Sequence, residues 1–349
     1  MENQNIVVAK LSKPKKPLKV AVLGYGYWGP HIARNLSQIG GFTLSAIIDF
    51  ASDKRIKATS VYPGVSTYKT FDEALVNVEL DAVIIATPTS SHFALTRQAL
   101  ENDLHVIVEK PLTANTIEAQ FLTELANTKK LVMMVDHTYL FTPAVAKIKE
   151  LVESGELGEL IYFDSTRVNL GLFQPDVSVL WDLAVHDIAI LQHVTGRFPT
   201  SVSATGGRHK STKYDAASFM TLHFEDLFFA HINVSWLSPM KIRRLVLSGT
   251  KKTILFDDML TDEKLRIYEA GVDLNELDLL QYRLGEVTIP KLDNSEALRT
   301  ELEHFLECIT TGHQAWSSGE TATRVVSCLE AAEKSIESNG KQVLINELL

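Results

Sequence analysis

The first third of the chain alternates short, largely apolar runs with segments whose apolar residues recur at helical spacing. The apolar runs predict buried strands at 20–23, 43–49, 81–87, 105–110 and 131–135. The segments between them predict helices at 29–36, 71–78, 92–102 and 116–129. Strands of this kind alternating with helices are typical of βαβ units in a parallel sheet. The pattern therefore predicts an α/β Rossmann domain, with a doubly wound parallel sheet, over residues 18–135.

After residue 135 the strands become longer and alternate apolar with polar positions. Between Phe228 and Trp236, for example, the apolar residues Ala230, Ile232 and Val234 alternate with polar ones, as in a strand with one buried face. Further strands are predicted at 160–168, 216–224, 243–248 and 253–256, and helices at 143–154, 295–310 and 320–337.

Ser295 is the predicted N-cap of the helix at 295–310. Residues 136–349 are thus predicted to form an α+β domain on a large open, mostly antiparallel sheet, for substrate binding and oligomerisation. A second subunit is a common cover for such an open face.

Composition narrows the class of protein. A length of 349 residues favours two domains, and 45% hydrophobic with 22% charged residues is typical of a globular protein without membrane spans. The formal charge of −9 argues against general nucleic-acid binding. Residues 1–17 are expected to be a flexible basic lead-in. The two cysteines, Cys308 and Cys328, require no disulfide, which fits a reducing cytoplasm.

The first strand runs into a glycine motif. Gly24, Gly26 and Gly29 have G-x-G-x-x-G spacing, which permits a tight turn and close approach of a phosphate to the start of the next helix. Asp49 ends the second strand about 20 residues beyond the third glycine, where a ribose-binding carboxylate is expected. Together these features predict a dinucleotide site.

Two polar clusters follow the next strands. Thr87, Pro88 and His92 lie after the strand at 81–87, where ligands of doubly wound folds bind, although they also suit a turn that begins a helix. Glu109 and Lys110 end the strand at 105–110. The lysine there can stabilise a developing alkoxide, or it is simply exposed at a strand end.

A third cluster lies in the segment 181–187. If the segment is helical, Asp182 and His186 are four residues apart and share one face. A histidine that titrates near neutrality suits proton abstraction from an alcohol, whereas a core or capping histidine is the alternative. Asp182, His186 and Asp187 lack a further ligand from another element, so no metal site is expected.

The glycine motif, the E-K-P sequence at 109–111 and the D-x-x-x-H sequence at 182–186 occur in this order. With them the chain resembles the glucose–fructose oxidoreductase / inositol dehydrogenase / MocA family over nearly its whole length. The resemblance implies NAD(P)-dependent oxidation or reduction of a sugar or cyclitol, and dimers or tetramers formed through the C-terminal sheet.

The resemblance also implies roles for individual residues. Lys110 would hold the reacting hydroxyl, His186 would be the acid/base, and Asp182 would bind substrate or orient the site. Asp49 indicates NAD rather than NADP, because a carboxylate repels a 2′-phosphate, although Lys54 and Arg55 are nearby. The cofactor-binding residues are expected to be Gly24, Gly26, Tyr27, Trp28, Gly29, Asp49, Thr87, Pro88, His92, Glu109 and Lys110.

Within the family, G-Y-G-Y-W-G at 24–29, R-V-N-L-G at 167–171 and V-L-W-D-L-A at 179–184 resemble nucleotide-sugar 3-dehydrogenases, with UDP-N-acetylglucosamine among the substrates. The pyrophosphate of such a substrate needs cations, for which the candidates are Arg167, Lys241, Arg243 and Arg244. Tyr139, Asn169 and His137 are candidates for the sugar pocket, with ordinary packing as the alternative. A dehydrogenase of a free sugar or inositol, or a non-catalytic NAD-binding regulator, are the rival functions.

Overall fold

The computed structural model describes residues 16–171, 173–174, 177–210, 213–274 and 279–349. Most of the expected lead-in therefore lies outside the described residues. The N-terminal elements are β1 Leu18–Leu23, α1 Gly29–Gln38, β2 Phe42–Ile48, α2 Ser52–Val61, β3 Ser66–Tyr68, α3 Phe71–Asn77, β4 Ala82–Ile85, α4 His92–Glu101, β5 His105–Glu109, α5 Thr116–Lys129 and β6 Met133–Asp136.

These strands form a parallel sheet of six, in the order β3-β2-β1-β4-β5-β6. The apolar run from Val20 to Leu23 is fully buried at its centre, because helices cover both faces of the sheet. The order reverses direction between β1 and β4, and ligands of such sheets bind at this switch point. The predicted Rossmann fold is confirmed. The pattern analysis had not assigned α2 or β3.

The C-terminal elements are α6 Pro143–Glu153, β7 Leu160–Leu170, α7 Val185–Thr195, β8 Ser201–Arg208, β9 Asp215–His223, β10 Phe229–Ser235, β11 Leu237–Gly249, β12 Thr253–Asp257, β13 Leu265–Tyr268, β14 Gly271–Leu274, β15 Leu280–Arg283, β16 Val287–Thr288, α8 Ala297–Thr311, α9 Gly319–Glu337 and β17 Val343–Leu344. Nine of these strands form a sheet in the order β16-β13-β12-β11-β7-β10-β9-β8-β17. Its described pairs are antiparallel except for β7 with β10, which confirms the predicted mostly antiparallel sheet.

The inner face of this sheet carries the apolar residues of the period-two pattern. Phe163, Ala230, Ile232 and Val234 are fully buried there, while the alternate positions of β9 and β10 are at least partly exposed. Helix α9 packs on β8, so the helices cover one face and leave the other open.

The last two helices also pack against the N-terminal domain. Helix α8 contacts α1, α9 contacts α5, and the Val135 amide donates to the Ser317 carbonyl at 2.9 Å. The expected cap Ser295 is wrong, because Glu296 is the N-cap and α8 begins at Ala297. The Glu296 carboxylate accepts from Arg34 and Asn35 of α1, and these contacts hold it at the cap position. The division after residue 135 remains a prediction.

Candidate active site

A cavity of about 630 Å³ lies at the carboxyl ends of β1, β2 and β4. Five of the predicted cofactor residues line it, namely Gly24, Gly26, Asp49, Thr87 and Pro88. Gly24 has a φ of +94°, and a Cβ there would lie 2.4 Å from the Ala86 carbonyl oxygen. A Cβ on Gly29 would lie 2.2 Å from the Gly24 carbonyl oxygen. These two glycines therefore shape the turn.

Gly26 differs from the other two glycines. A Cβ on Gly26 would meet no atom within 4 Å, so the space above it is open to a ligand. Helix α1 begins directly after this turn, with Pro30 in its first turn, and Tyr27 and Trp28 are 78% and 42% exposed beside it. An open backbone surface at a helix N-terminus fits the pyrophosphate of a dinucleotide.

Asp49 is fixed at the end of β2 by two backbone donors. The Tyr25 amide donates to Asp49 Oδ2 at 2.8 Å, and the Ala51 amide donates to Oδ1 at 2.9 Å. Arg55 donates to the carbonyl oxygens of Asp49 and Phe50 rather than to the carboxylate, while Lys54 lines the cavity. The negative charge of Asp49 is thus not neutralised by Arg55.

His92 lies beneath the cavity and is only 1% exposed. Its ring nitrogens lie 2.8 Å from the carbonyl oxygens of Pro111 and Thr87, so the ring joins the loops that follow β4 and β5. Any effect of His92 on a cofactor acts through these loops. The Lys110–Pro111 peptide bond is cis.

Lys110 connects the two domains at the end of β5. Its ammonium donates to the Asp182 carbonyl oxygen at 2.9 Å and to Oδ1 at 3.1 Å. The other carboxylate oxygen, Oδ2, accepts from the indole nitrogen of Trp236 at 3.1 Å. The side chains of Lys110 and Asp182 remain 17% and 19% exposed, so a ligand can reach the pair.

The segment that carries Asp182 and His186 is helical, as expected, but it begins with a π turn over Leu180–Ala184 before α7. Nδ1 of His186 is buried and has no partner among the described residues. Burial lowers the pKa of His186 well below its ordinary value, and the charges of Lys110, Arg167 and Arg243 lower it further. The ring is therefore neutral near pH 7.

Tyr139 lies at the centre of the remaining polar groups. Its ring centroid is 4.9 Å from that of His186 and 4.4 Å from Cζ of Arg167, and its hydroxyl accepts from Arg243 at 2.6 Å. Arg167 also makes a two-pronged ion pair with the buried Asp187, at 3.0 and 2.9 Å. Arg243 is one-third exposed, and among the described residues its ion partner is Asp258, at 3.5 Å.

The other substrate candidates lie at different distances from this centre. Asn169 and Trp236 both border Gly171. A Cβ atom added to Gly171 would lie 2.9 Å from Nδ2 of Asn169 and 2.9 Å from Cδ1 of Trp236. His137 is buried, and burial together with the charge of Lys110 lowers its pKa to about 3. Lys241 is exposed, and Arg244 is paired with Asp257 on the strand face opposite to Arg243.

Two residues of the site were missed by the sequence analysis. Trp236 directly follows β10 and was considered only as the end of the alternating strand predicted between Phe228 and Trp236, although a buried indole N–H needs an acceptor. Asp187 was considered only as a metal ligand, whereas it is the partner of Arg167. Over the described ranges, no cluster of three or more histidine, cysteine or acidic side chains has the arrangement of a metal site.

Comparison with known proteins agrees with this architecture. Residues 18–137 match the model of the GFO_IDH_MocA oxidoreductase family, NAD-binding Rossmann fold, and residues 145–255 match the GFO/IDH/MocA C-terminal domain. UDP-N-acetylglucosamine 3-dehydrogenase of Acidithiobacillus ferrooxidans is 27% identical over 92% of this chain and 98% of that protein.

Two further relatives span most of the chain. The scyllo-inositol 2-dehydrogenase (NAD(+)) of Bacillus subtilis is 27% identical over 84% of this chain and 87% of its own length. An oxidoreductase from Agrobacterium radiobacter, solved with NAD+, L-tartaric acid and magnesium, superposes with a TM-score of 0.80 at 18% identity, covering 96% of this chain and all of that one. This chain belongs to the GFO/IDH/MocA family of NAD-binding oxidoreductases.

Proposed function

We propose that this protein is an NAD-dependent dehydrogenase that oxidises a ring hydroxyl, at C3, of a nucleotide sugar such as UDP-N-acetylglucosamine. The observation that carries the proposal is the convergence of Lys110, Asp182 and His186 at the end of β5, the strand next to β4, whose end borders the cavity that would hold the dinucleotide. The relative from A. ferrooxidans, which matches nearly the full length, supports the substrate.

The residues of the turn fit NAD. The backbone at Gly26 is open to a ligand, and the Asp49 carboxylate, which Arg55 does not neutralise, lies where the ribose would bind. When bound, NAD supplies the nicotinamide C4 that accepts the hydride. Gly24, Gly26 and the start of α1 would hold the pyrophosphate, and Asp49 would accept from a ribose hydroxyl.

In this proposal Lys110 donates to the oxygen of the reacting hydroxyl and stabilises its developing negative charge. Asp182 orients the ammonium, and Trp236 in turn fixes Asp182. His186 is neutral near pH 7 and so has a free lone pair to take the hydroxyl proton. Its low basicity is compensated by the alkoxide stabilisation that Lys110 supplies in the same step.

Arg243 is our candidate for the nucleotide phosphates. Arg167 is already neutralised by Asp187 and buried, whereas Arg243 keeps an exposed guanidinium next to Tyr139. Arg244 is the next residue in β11 but lies on the opposite face, which makes it a matched control.

Steady-state kinetics with UDP-N-acetylglucosamine and free N-acetylglucosamine test this assignment. Arg243→Ala should raise KM for the nucleotide sugar by about 10-fold or more, because a charge-assisted hydrogen bond is lost, and leave the free sugar unaffected. Arg244→Ala should change neither. Equal effects of Arg243→Ala on both substrates would contradict a phosphate role.

A free sugar or inositol is the second candidate substrate. The Asp258 carboxylate lies 3.5 Å from Arg243 and 3.2 Å from Lys264, which offsets part of the positive charge and suits an uncharged polyol. The inositol dehydrogenase relative supports the same alternative. A substrate panel with and without a UDP group separates the two, and bound NAD that turns over with no sugar would favour a non-catalytic regulator.

We also propose that a second copy covers the outer face of the nine-stranded sheet, in a dimer or tetramer. Phe219 and Phe229 are 51% and 45% exposed on that face, stacked on His231 and Tyr162. Phe219→Asp should dissociate the assembly in light-scattering measurements, whereas Leu227→Asp in the exposed β9–β10 turn should not. A wild-type monomer would contradict the proposal.

A cytoplasmic location is our remaining proposal. Cys308 and Cys328 are both buried and unpaired, which suits a reducing compartment. Across the part of the chain that the structure covers, no helix combines the length and apolarity needed to span a bilayer.

A further inference from the structure

Three carboxyl groups meet in the interior behind Lys110. Glu109, Asp136 and Glu301 are 9%, 5% and 1% exposed. Glu109 and Asp136 are register partners at the ends of β5 and β6, and Glu301 of α8 lies close enough to Asp136 for that charge to act on it. The cluster thus joins the two strand ends to a helix from the far end of the chain.

No cation of the described part of the chain forms an ion pair with any of the three acids. The Lys110 ammonium, although next to Glu109 in sequence, is directed to Asp182. Both carboxyl oxygens of Glu301 are buried and find no donor among the residues that the structure describes. Ionised carboxylates buried without a partner are costly, and carboxylates that share a site cannot all remain ionised. At least one proton must therefore be retained.

Most of the groups that face Glu301 and Glu109 raise the pKa of these two acids. Burial, then Asp136 and Glu109, raise the pKa of Glu301 well above its usual range. Burial and Asp136 likewise raise the pKa of Glu109, against the Lys110 charge and its backbone N–H. Glu301 is the group most removed from positive charge, so it is the acid that stays neutral.

The cluster holds both segments that carry the proposed active site. Asp136 Oδ1 accepts from the Thr138 amide at 3.2 Å and from the Thr138 hydroxyl, at the start of the turn that carries Tyr139. Glu109 accepts from the Lys110 amide at 3.2 Å. A change in the charge or spacing of the acids would therefore move Lys110 and Tyr139.

We propose that Glu301, beside Glu109, is a neutral acid that donates to Asp136, and that Glu301 is a positioning residue for Lys110 and Tyr139. The positioning role rests on the function proposed above, whereas the retained proton does not. Glutamine resembles a neutral glutamic acid, because its side-chain amide is uncharged and can still donate a hydrogen bond, whereas a leucine side chain has no hydrogen-bond donor.

Unfolding by urea across a pH series tests the retained proton without any substrate. Above the ordinary pKa of a glutamate the unfolded chain loses the proton that the folded chain keeps, so wild-type stability declines as pH rises. Glu301→Gln removes the part of this decline that Glu301 contributes, while the part due to Glu109 stays. Its advantage over wild type should grow by up to about 10-fold in the folding constant per pH unit between about pH 5 and 8.

Glu303→Gln provides the control on the same helix, because Glu303 is partly exposed and pairs with Arg299 at 2.9 Å. It should show no such growth with pH. A difference between Glu301→Gln and wild type that is constant with pH, or that shrinks as pH rises, would show that Glu301 is ionised and would overturn the proposal.

The positioning role is tested by kinetics and by the His186 titration. Glu301→Leu should lower kcat by roughly 10- to 100-fold with NAD affinity unchanged, whereas Glu301→Gln retains kcat. The pKa of His186, which Lys110 lowers, reports the placement of Lys110 without turnover. The pKa of His186 should rise in Glu301→Leu and stay unchanged in Glu301→Gln. If Glu301→Leu does not fold, Thr138→Val is measured in its place. An unmoved His186 pKa together with wild-type kcat would refute positioning.

Discussion

The ammonium of Lys110 lies 2.9 Å from the carbonyl oxygen and 3.1 Å from the carboxylate of Asp182, a residue 72 positions away in the chain. This pair joins the end of β5 to the π turn before α7. The pair brings the Lys110 charge of the N-terminal domain next to the segment that carries His186. This charge is one of the causes of the low pKa of His186.

Lys110→Met should raise the pKa of both His186 and His137. Burial lowers both, and the Lys110 charge lowers both further, in His137 to about 3. Removing the charge makes protonation easier, so both values move toward the ordinary 6.5. Histidine NMR titration measures this, and His193, whose pKa of about 4 reflects burial and Lys149, is the internal control. Unmoved values for both histidines would refute the coupling.

The low pKa of His186 also determines how kcat/KM depends on pH on the acid side of the profile. A base works only when unprotonated, and the pKa of His186 is depressed, so kcat/KM should not fall near pH 6.5 but only well below it. A limb at about pH 6.5 would show that a histidine with an ordinary pKa is the base.

Gly24→Ala and Gly26→Ala should separate folding of the turn from cofactor binding. The first methyl would lie 2.4 Å from the Ala86 carbonyl oxygen at a φ of +94°, so this variant should lose thermal stability. The second projects into open space, so it should keep its melting temperature yet bind NAD about 10-fold more weakly. Calorimetric titration with Gly64→Ala as control measures this. Unchanged affinity in Gly26→Ala would contradict the site.

Asp49→Asn should reduce the preference for NAD over NADP by about 10-fold or more, since it removes the charge that repels a 2′-phosphate. The amide oxygen can still accept from the Tyr25 amide, while the Ala51 amide loses its acceptor, so the turn keeps one of its two bonds to this side chain. Dissociation constants for both dinucleotides measure the change, with the exposed Asp53→Asn as control. An unchanged ratio would mean that another residue selects the cofactor.

Asp187→Ala should destabilise the protein by about 3–5 kcal/mol, because it leaves the buried Arg167 charge unpaired. Asp257→Ala, which breaks the more exposed pair with Arg244, should cost only about 0–1 kcal/mol. Urea unfolding compares the two variants. Similar costs for both would show that the Arg167 pair is solvated in solution.

Much of the architecture could be predicted because its signals are local. The run Val20 to Leu23, the glycine spacing and the alternation in β10 each depend on a few neighbouring residues, and the structure has a buried strand, a tight turn and a half-buried strand at these places. Helix α2 lacked such a signal, since Ala58 is its one buried residue.

The side-chain partners could not be predicted because they depend on distant segments. Nothing near Arg167 in sequence indicates that Asp187 would neutralise it, and the Glu296 cap depends on Arg34 of another domain. Glu301 has the spacing of an ordinary helix residue, and only the packing of α8 against the turn at 138–141 buries its carboxyl group among other acids.

Single-turnover hydride transfer tests the central claim most directly. The enzyme, loaded with NAD+, is mixed with UDP-N-acetylglucosamine that carries hydrogen or deuterium at C3, and reduced nicotinamide is followed. We expect transfer by the wild type with a primary isotope effect, and a loss of at least about 100-fold in Lys110→Ala and His186→Ala at unchanged NAD+ affinity. Near-wild-type rates in both variants, or NAD+ that stays oxidised with every sugar offered, would contradict the account.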